Sequence, residues 1–428
     1  KNMMVEKDIS GCALDELYRI QRPGCANYQT PVAGSKVRGL LYSQGLLGSL
    51  PVIATGTSLY TFNGTTATSL GTIVDDGKQV QFAVTNFGIA TLSGTTLYFY
   101  DTSLRTVTVP NSEVPVSITS INSYVIIACA SGRWYWIVPG AITIDPLHFA
   151  TAESIPDDLV AVIAIRSEVY FFGTESMEVW QVTGDANLIL TRANGREWDK
   201  GLMSRDSLQS FDNDAIFLGS DGVVYRVDSL PQRISNVGIE ERIRNRSANP
   251  SAFTYIYDGH TTYALYIPGV GTFCFDALIG EWAEFTSAGG TSGWRPRVAC
   301  TVGTTVLLGD GTSGKVFKLD ASISTDDGTI FERAISGAIA FNGGRQRHDS
   351  LEIFTGCSAS CTIRVRWHDG LQSGWSAYRT ATAAANADIV RMTRFGAAKS
   401  PCRVIEISTV DTAQIRISGA RANEGRAN

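Results

Sequence analysis

Ser58-Leu59-Tyr60-Thr61-Phe62 is the first of seven short segments that each place an aromatic or apolar residue at the centre of a strand-like run. The other six are Thr96-Leu97-Tyr98-Phe99-Tyr100, Arg133-Trp134-Tyr135-Trp136, Glu178-Val179-Trp180-Gln181-Val182, Val223-Val224-Tyr225-Arg226-Val227, Thr272-Phe273-Cys274-Phe275 and Lys315-Val316-Phe317-Lys318-Leu319. Their central residues follow one another at steps of 38, 37, 45, 45, 49 and 43 residues. A strand-built repeat of about 40–50 residues is typical of β-propeller blades. The spacing therefore predicts an all-β chain with a β-propeller of about seven blades.

The composition agrees with many short strands joined by tight turns. The 428 residues are 44% apolar and 18% charged, and they include 42 glycines. Glycine supplies the positive φ angles that tight hairpins require, and Asp258-Gly259 is one strong hairpin signal of this kind. The length favours one large repeat domain together with a smaller second domain.

Three parts of the chain differ in their patterning. Residues 1–35 show little periodicity and are expected to form an extended N-terminal arm, and residues 36–328 carry the propeller repeats. The polar run 321–328 reads as a linker, after which apolar and polar residues alternate with arginine on one face, as in 362–367. Residues 329–428 are therefore predicted to form a small C-terminal β-sandwich.

Two interruptions of the strand pattern are expected to be helical. Residues 150–155 resemble a short helical turn. Residues 237–246 place acidic side chains first and arginines last, which suits the helix dipole. Both segments are interpreted as connections between blades.

The cysteines indicate a protein that folds in a reducing cytoplasm. The chain contains no CxxC pair, although Cys357 and Cys361 are spaced so that they can bridge across a hairpin. The remaining cysteines are Cys12, Cys25, Cys129, Cys274, Cys300 and Cys402. No signal peptide is visible, and the longest apolar run, around 124–130, falls well below the ~18 residues that span a bilayer. No membrane anchor is expected.

Residues that could carry chemistry are few and scattered. The four histidines, which show no metal-ligand spacing, are His148, His260, His348 and His368. The neighbouring acidic pairs, which point to opposite faces if they lie in strands, are Asp75-Asp76, Asp157-Asp158, Glu240-Glu241 and Asp326-Asp327. Gly309-Asp310-Gly311-Thr312-Ser313-Gly314 matches a dinucleotide fingerprint by letters, but strand-like runs flank it on both sides, so a hairpin is predicted. We expect no catalytic, cofactor-binding or metal-binding residue.

The formal charge divides unevenly along the chain. Residues 1–330 contain 23 Lys and Arg against 33 Asp and Glu, a net charge of −10. Residues 331–428 contain 13 basic residues, of which 12 are Arg, against 8 acidic residues, a net charge of +5. Such an asymmetry suggests different partners for the two parts, although ordinary scatter on a solvated surface would also produce it.

An ordered series of short motifs carries a family resemblance. It consists of Arg22-Pro23-Gly24, Val37-Arg38-Gly39-Leu40, Ile121-Asn122-Ser123-Tyr124-Val125, Asp145-Pro146-Leu147-His148-Phe149, Ala152-Glu153-Ser154-Ile155-Pro156-Asp157, Glu168-Val169-Tyr170-Phe171-Phe172-Gly173, Glu178-Val179-Trp180, Gly184, Phe217-Leu218-Gly219, Asp221-Gly222-Val223-Val224-Tyr225, Gln232-Arg233-Ile234-Ser235, Phe273-Cys274-Phe275-Asp276 and Glu281-Trp282. The series resembles the tail hub, or packaged-DNA stabilisation, proteins of short-tailed bacteriophages. The likeness runs from about residue 22 to about residue 320, with a looser echo over 364–419.

The resemblance implies a structural virion protein made in the host cytoplasm and placed in the tail. Such a protein assembles as a six-fold ring of its own copies below the portal and an adaptor protein. It carries a tail needle or tailspike, closes the channel after packaging, and conducts the genomic DNA through its lumen without sequence-specific binding. It needs no cofactor and is not an enzyme. An acidic body suits this role, because a basic lumen would hold the DNA phosphates.

The arginine-rich C-terminal part is then a candidate contact with a neighbouring subunit or with the adaptor. Arginine is enriched at interfaces because its planar guanidinium pairs bidentately and stacks on rings. The interface candidates are Arg345, Arg347, Arg364 and Arg366.

Two other classes of function stay open on the sequence. One is a tailspike-like propeller that degrades or binds glycans, which requires carboxylates or histidines clustered at one mouth of the propeller. The other is a cellular propeller that binds peptides or sugars, although the repeats lack the Gly-His and Trp-Asp signature of WD blades.

Overall fold

A computed structural model describes residues 1–7, 17–30, 35–152, 156–185, 187–287, 293–341, 345–370 and 374–424. The chain divides into two compact units. The propeller unit comprises Asn27–Gly280 and Arg295–Lys318. The sandwich unit comprises Lys1–Ala26, Glu281–Trp294 and Leu319–Asn428. Strands dominate both units, so the predicted all-β class is confirmed.

Seven antiparallel sheets in the propeller unit are its blades, numbered here in chain order. The first strand of each blade is Val37–Leu41, Gln81–Thr85, Pro115–Ile121, Leu159–Ile165, Gln209–Phe211, Ser251–Tyr257 and Pro296–Val302. The second strands are Val52–Thr55, Gly88–Ser93, Tyr124–Cys129, Glu168–Gly173, Asp214–Leu218, His260–Ile267 and Thr305–Asp310. Neighbouring first and second strands pair in antiparallel register, as a meander requires.

The third strands of the blades are the seven segments of the sequence repeat. They are Ser58–Phe62, Thr96–Tyr100, Arg133–Ile137, Met177–Val182, Val224–Val227, Gly271–Asp276 and Val316–Asp320. Blades 1 to 5 add a fourth strand within this unit, namely Ala67–Thr72, Leu104–Val107, Phe149–Thr151, Leu190–Trp198 and Pro231–Arg233. The prediction of a propeller with seven blades is therefore confirmed.

Apolar side chains fill the space between consecutive blades. One cluster joins blades 2 and 3 around Leu97, Phe99 and Ile127, all of which are buried. Another joins blades 1 and 7 through Tyr60 and Val316, which closes the circle of blades. Each blade thus buries both of its faces, which explains why the third strands read as nearly continuous aromatic and apolar runs.

The helical predictions had mixed outcomes. The helix Val237–Arg244 is present, and the Asn236 side chain accepts a hydrogen bond from the Ile239 amide at its start. Residues 149–151 form a strand paired with blade 3, so the predicted helical turn over 150–155 is wrong at its start, and 153–155 lie outside the described residues. The 3₁₀ turns are Pro110–Ser112 and Arg205–Ser207.

The glycine-rich stretch 309–314 lies in a hairpin, as predicted. It connects the antiparallel strands Thr305–Asp310 and Val316–Asp320. At the Asp258-Gly259 hairpin both residues have positive φ, +50° and +81°, which is the pattern of a type I′ turn.

The sandwich unit contains two antiparallel sheets around one apolar core. The first sheet has the order Met3–Lys7, Leu17–Gln21, Ile415–Glu424, Arg345–Cys357 and Ile389–Lys399. The second has the order Arg333–Ala340, Cys402–Thr409, Cys361–Asp369 and Arg379–Ala383. Short strands also occur at Glu281–Phe285, Thr325–Asp326 and Thr329–Ile330, and Gly24–Gln29 begins in this unit and ends in the propeller unit. The C-terminal β-sandwich of the predicted fold is confirmed.

The N-terminal residues differ from the expected arm over 1–35. Met3–Lys7 and Leu17–Gln21 pair with each other, and Arg19 and Ile20 pair with the last strand of the chain. They join the sandwich because Met3 is buried in its core, a contact with distant residues that local periodicity does not reveal. Cys25 likewise pairs with Asp326, in the run that was predicted to be a linker. The predicted domain limits 36–328 and 329–428 stay a prediction.

Arg22 is a fully buried charge in the sandwich unit. Its guanidinium forms a bidentate ion pair with Asp326, with Nη2 2.6 Å from Oδ2 and Nη1 3.1 Å from Oδ1. Its Nε donates to Asn2 Oδ1 at 2.8 Å, and the carbonyls of Pro23 and Thr286 accept the remaining hydrogen bonds at 2.8 and 3.0 Å. All five N–H groups are therefore matched by acceptors.

Aromatic rings enclose this guanidinium. Its Cζ lies 3.9 Å from the ring centroid of Phe331 and 5.1 Å from that of Trp294. Asn2, which is also fully buried, donates to Thr286 Oγ1 at 2.9 Å and to the Glu332 carbonyl at 2.7 Å. One buried network thus joins four chain segments that are far apart in sequence.

Replacing Arg22 with alanine is expected to destabilise the sandwich unit by about 3–5 kcal/mol, because it leaves the Asp326 carboxylate buried without its partner. The free energy of unfolding, measured by urea titration, checks this. Arg347→Ala is the matched control, since Arg347 is 69% exposed and pairs with an exposed aspartate. The control should change stability by less than about 0.5 kcal/mol. Equal effects of the two changes would contradict the organising role of Arg22.

Candidate functional site

The axis of the propeller holds a cavity. The first strand of every blade contributes to its wall, and its volume is about 290 Å³. It is lined by apolar residues such as Leu40, Phe82 and Phe253 and by the polar residues Arg205 and Asp206. The axis is therefore where a ligand or a channel would be sought in this unit.

Arg205 braces this axis from the connection before blade 5. Its Nη2 donates to the Gln79 carbonyl at 2.7 Å, and its Nη1 donates to the Val116 carbonyl at 3.3 Å. Its Nε donates to Asp206 Oδ1 at 2.8 Å. The side chain is only 13% exposed, so these hydrogen bonds form largely out of water.

Gln79 and Gln81 make further hydrogen bonds that connect other blades near the axis. The Gln79 amide nitrogen Nε2 donates to the carbonyl of Ala252 in blade 6 at 3.2 Å and to that of Arg297 in blade 7 at 2.8 Å. The Ile118 amide in blade 3 donates to Gln81 Oε1 at 3.1 Å. Polar side chains therefore connect the inner strands across the axis as well as around it.

The axial cavity is too small for duplex DNA to pass through it. Its volume equals that of a sphere roughly 8 Å across, whereas the major groove of duplex DNA alone is about 12 Å wide. Duplex DNA does not fit along the axis of a single propeller. Water or a small molecule fits there.

The four predicted interface arginines do not form one cluster. Arg345 and Arg347 lie at the start of a strand of the five-stranded sheet, and both are exposed. Arg364 and Arg366 lie on the outer face of the four-stranded sheet. The sequence predicted arginines on outward faces, but it did not distinguish the two sheets on which they stand.

Arg364 and Arg366 form a preorganised group with two exposed aromatic side chains. Arg366 Cζ lies 4.6 Å from the Trp375 ring centroid and 4.8 Å from that of Tyr378, and Arg364 Cζ lies 4.7 Å from the Tyr378 centroid. Trp375 is 40% exposed and Tyr378 is 38% exposed. We call Arg364, Arg366, Trp375 and Tyr378 the arginine–aromatic face.

Acidic side chains hold this face in place. Arg364 Nη2 donates to Glu332 Oε1 at 2.6 Å, and Arg366 Nη2 donates to Glu406 Oε2 at 2.8 Å. The hydrogen bond to Glu406 raises the pKa of Arg366 above its ordinary value. Burial, together with the charge of Glu406, raises the pKa of Tyr378. The cations are thus fixed and stacked, which is a common arrangement at protein interfaces. Local sequence patterning does not assign Trp375 and Tyr378 to this face, because their stacking on the arginines depends on tertiary packing.

The neighbouring acidic pairs contain carboxylates that serve the fold. Arg38 forms ion pairs with both Asp75 and Asp76. Asp157 accepts a hydrogen bond from Ser176, and Glu240 accepts one from Arg233. Asp326 pairs with Arg22. Each of these carboxylates therefore has a structural role.

The histidines lie in separate surroundings. His148 stacks on Trp136 with ring centroids 5.0 Å apart, and His260 Nδ1 lies 2.6 Å from Asp276 Oδ2. Within the described ranges, no three His, Cys, Asp or Glu side chains are grouped so that they could hold a metal ion. The same part of the chain contains no helix with the length and apolarity needed to cross a bilayer.

Comparison with known proteins identifies one family. The family model described as "Phage_stabilise: Bacteriophage P22 Gp10, beta-propeller" matches residues 1–324. No curated protein matches the chain. Similar solved structures include the computationally designed Ika8 protein, with 11% identity, a TM-score of 0.41 and coverage of 70% of this chain and 99% of that one. They also include BBS1N in complex with ARL6DN, with 11% identity, a TM-score of 0.46 and coverage of 70% and 98%.

Replacing Arg205 with methionine is expected to destabilise the propeller unit by about 1–3 kcal/mol, because two inward carbonyls lose their donor. Urea unfolding followed by tryptophan fluorescence measures the change. Arg166→Met is the matched control, since Arg166 is 58% exposed and its carboxylate partners are 3.8 Å away. A change below about 0.5 kcal/mol is expected for the control. An Arg205 variant as stable as this control would show that the axial brace contributes nothing.

Proposed function

The chain belongs to the phage stabilisation family whose model is described as Bacteriophage P22 Gp10, beta-propeller, and from this membership we propose that it is a structural tail protein that keeps packaged DNA inside the particle. The family match over 1–324 is the observation that carries the proposal. A rigid propeller whose engaged carboxylates serve structural ion pairs and hydrogen bonds agrees with a platform role rather than a catalytic one.

The proposed assembly is a six-fold ring of this chain below the portal and its adaptor. The narrow axis of one propeller supports a ring, because a protein that conducts duplex DNA then needs a lumen between its copies. The ring closes the channel after packaging, conducts the genome during ejection, and carries a tail needle or a tailspike below.

The charge of the chain suits passage of DNA without binding. The net charge of −10 over residues 1–330 disfavours the phosphate contacts that would hold a duplex. We propose that the DNA moves through the lumen without sequence-specific contacts. The purified protein should therefore not retain duplex DNA at about 0.15 M salt, and strong salt-dependent retention would contradict this part of the proposal.

Particles assembled without this chain are expected to package DNA and then lose it. The test is a deletion in the source phage, with particle-associated DNA measured by nuclease protection and tail structure measured by electron microscopy. Complementation with the intact gene should restore protected DNA, and the Arg166→Met gene provides a matched control for expression, since Arg166 is 58% exposed.

Immunogold labelling locates the chain in the same particles. Label at the vertex where tail meets head supports the proposal. Label only on a distal spike, with full DNA retention in the deletion, would favour a tailspike-like glycan-binding or glycan-degrading propeller. Absence of label from every particle would contradict a virion role.

We further propose that the arginine–aromatic face contacts a neighbouring copy in the ring. Residues 331–428 carry a net charge of +5 and residues 1–330 carry −10, so these two stretches of adjacent copies attract each other. Arginine, tryptophan and tyrosine are the residues that most often dominate interface energies. Arg345 and Arg347, which stand exposed on the other sheet, are proposed to add weaker, longer-range attraction.

Joint replacement of Arg364 and Arg366 by alanine is expected to reduce the number of copies per particle about tenfold or more, because fixed interface cations are lost. Arg345→Ala with Arg347→Ala should cause a smaller, salt-dependent reduction. Quantitative mass spectrometry of purified particles measures the copies. Trp375→Ala, which leaves both ion pairs intact, should reproduce part of the first effect. Normal incorporation of a chain lacking all four arginines would refute the interface.

A further inference from the structure

Two buried cysteine sulfurs lie next to each other where the chain passes between the two sheets of the sandwich. Cys357 ends a strand of the five-stranded sheet, and Cys361 begins a strand of the four-stranded sheet. Their Sγ atoms are 2.8 Å apart, and each residue is 2% exposed. Both are free thiols. Residues 358–360, which connect the two cysteines, are exposed. Each buried cysteine is therefore adjacent in sequence to an exposed residue.

We propose that Cys357 and Cys361 are a modification site that forms a covalent crosslink between the two sheets of the sandwich when the protein meets an oxidising small-molecule disulfide. The sulfurs are already within about 0.8 Å of the 2.03–2.05 Å length of such a bond. Because both residues stand at strand ends beside an exposed three-residue connection, a small local adjustment brings them together.

The electrostatic surroundings favour reaction at Cys357. The hydrogen bond from Cys361 lowers the pKa of Cys357 to about 7, and the positive charge of Arg333 acts in the same direction. The hydrogen bond to Cys357 raises the pKa of Cys361. Cys357 is therefore the nucleophile of the pair, since the thiolate is the reacting form.

The reaction balances as a thiol–disulfide exchange with oxidised glutathione as the oxidant. The Cys357 thiolate attacks one sulfur of oxidised glutathione, its S–S bond breaks, and one glutathione thiolate leaves. Cys361 then transfers its proton to the first glutathione thiolate and attacks the Cys357 sulfur. The bond between Cys357 and the second glutathione breaks, and this second thiolate takes a proton from water. Two protein thiols are oxidised to one disulfide, and one glutathione disulfide is reduced to two thiols.

Several other cysteines lie in surroundings that disfavour the thiolate. Cys25 is buried beside Asp326, and burial raises the pKa of its thiol. Burial also raises the pKa of Cys129 and of Cys300, in each case to about 12. Cys402 is half-buried on the four-stranded sheet and serves as a control. Cys12 lies outside the described residues.

Peptide mapping of the folded, full-length chain tests the crosslink. Cleavage after arginine and lysine releases peptide 348–364, which contains Cys357 and Cys361 and no other cysteine. After incubation with oxidised glutathione, this peptide should be lighter by two hydrogen atoms and should resist alkylation, and dithiothreitol should reverse both changes. The oxidised protein should also show a higher midpoint of thermal unfolding.

Matched variants make the result decisive. Cys402→Ser should keep the crosslink and the thermal shift, whereas Cys361→Ser should lose both. If peptide 348–364 is recovered with two alkylated thiols after oxidation of the intact protein, the proposal is overturned. Recovery of glutathione on Cys357 without the internal disulfide would overturn it as well.

The timing of the crosslink rests on the proposed virion role. A tail protein is made in a reducing cytoplasm and is exposed to oxidising surroundings once the particle leaves the host. Peptide 348–364 should therefore be reduced in lysates of infected cells and crosslinked in released particles. If released particles keep both thiols although the purified chain crosslinks, the timing is refuted and the site stands. If the chain is absent from particles, the proposed function fails while the chemical test of the site is unaffected.

Discussion

The ion pair between Arg22 and Asp326 is the constraint on which the sandwich unit depends. A guanidinium removed from water is stable only when its hydrogen bonds are satisfied, and here Asn2, Asp326 and two carbonyls satisfy all of them. These partners come from chain segments about three hundred residues apart. The network therefore requires that the N-terminal residues lie beside residues 286 and 326, and the pairing of Cys25 with Asp326 meets this requirement.

In the propeller, buried polar side chains also connect distant segments, here the blades on opposite sides of the axis. Apolar clusters between consecutive blades supply most of the buried surface, but they do not connect blades that face each other across the axis. Arg205 and Gln79 make those connections, and each donates to carbonyls of inner strands. The result is a narrow axis, which is compatible with a rigid platform and leaves no path for duplex DNA through one propeller. A conducting role therefore places the lumen outside the single propeller.

Much of the fold could be predicted because the blades are local structures. The repeat around Tyr60, Tyr98 and Tyr135 marks the third strands, since that position is buried on both faces and selects aromatic and apolar residues. Residues 1–35 gave no such signal, because the strands Met3–Lys7 and Leu17–Gln21 are stabilised by partners at the far end of the chain. The helix over 237–244 was found through its charge order, whereas residues 149–151 belong to a strand that only its pairing within blade 3 defines.

Local periodicity and short motifs in order are enough to predict the all-β class, the seven blades, the C-terminal sandwich and the family. They do not show that the predicted interface arginines stand on two different sheets, or that Trp375 and Tyr378 stack on one pair of them. They also do not show that the Cys357 and Cys361 sulfurs are neighbours across the two sheets. Alternation along a strand tells which side chains share a face, but the packing of sheets determines which faces and which strand ends come together.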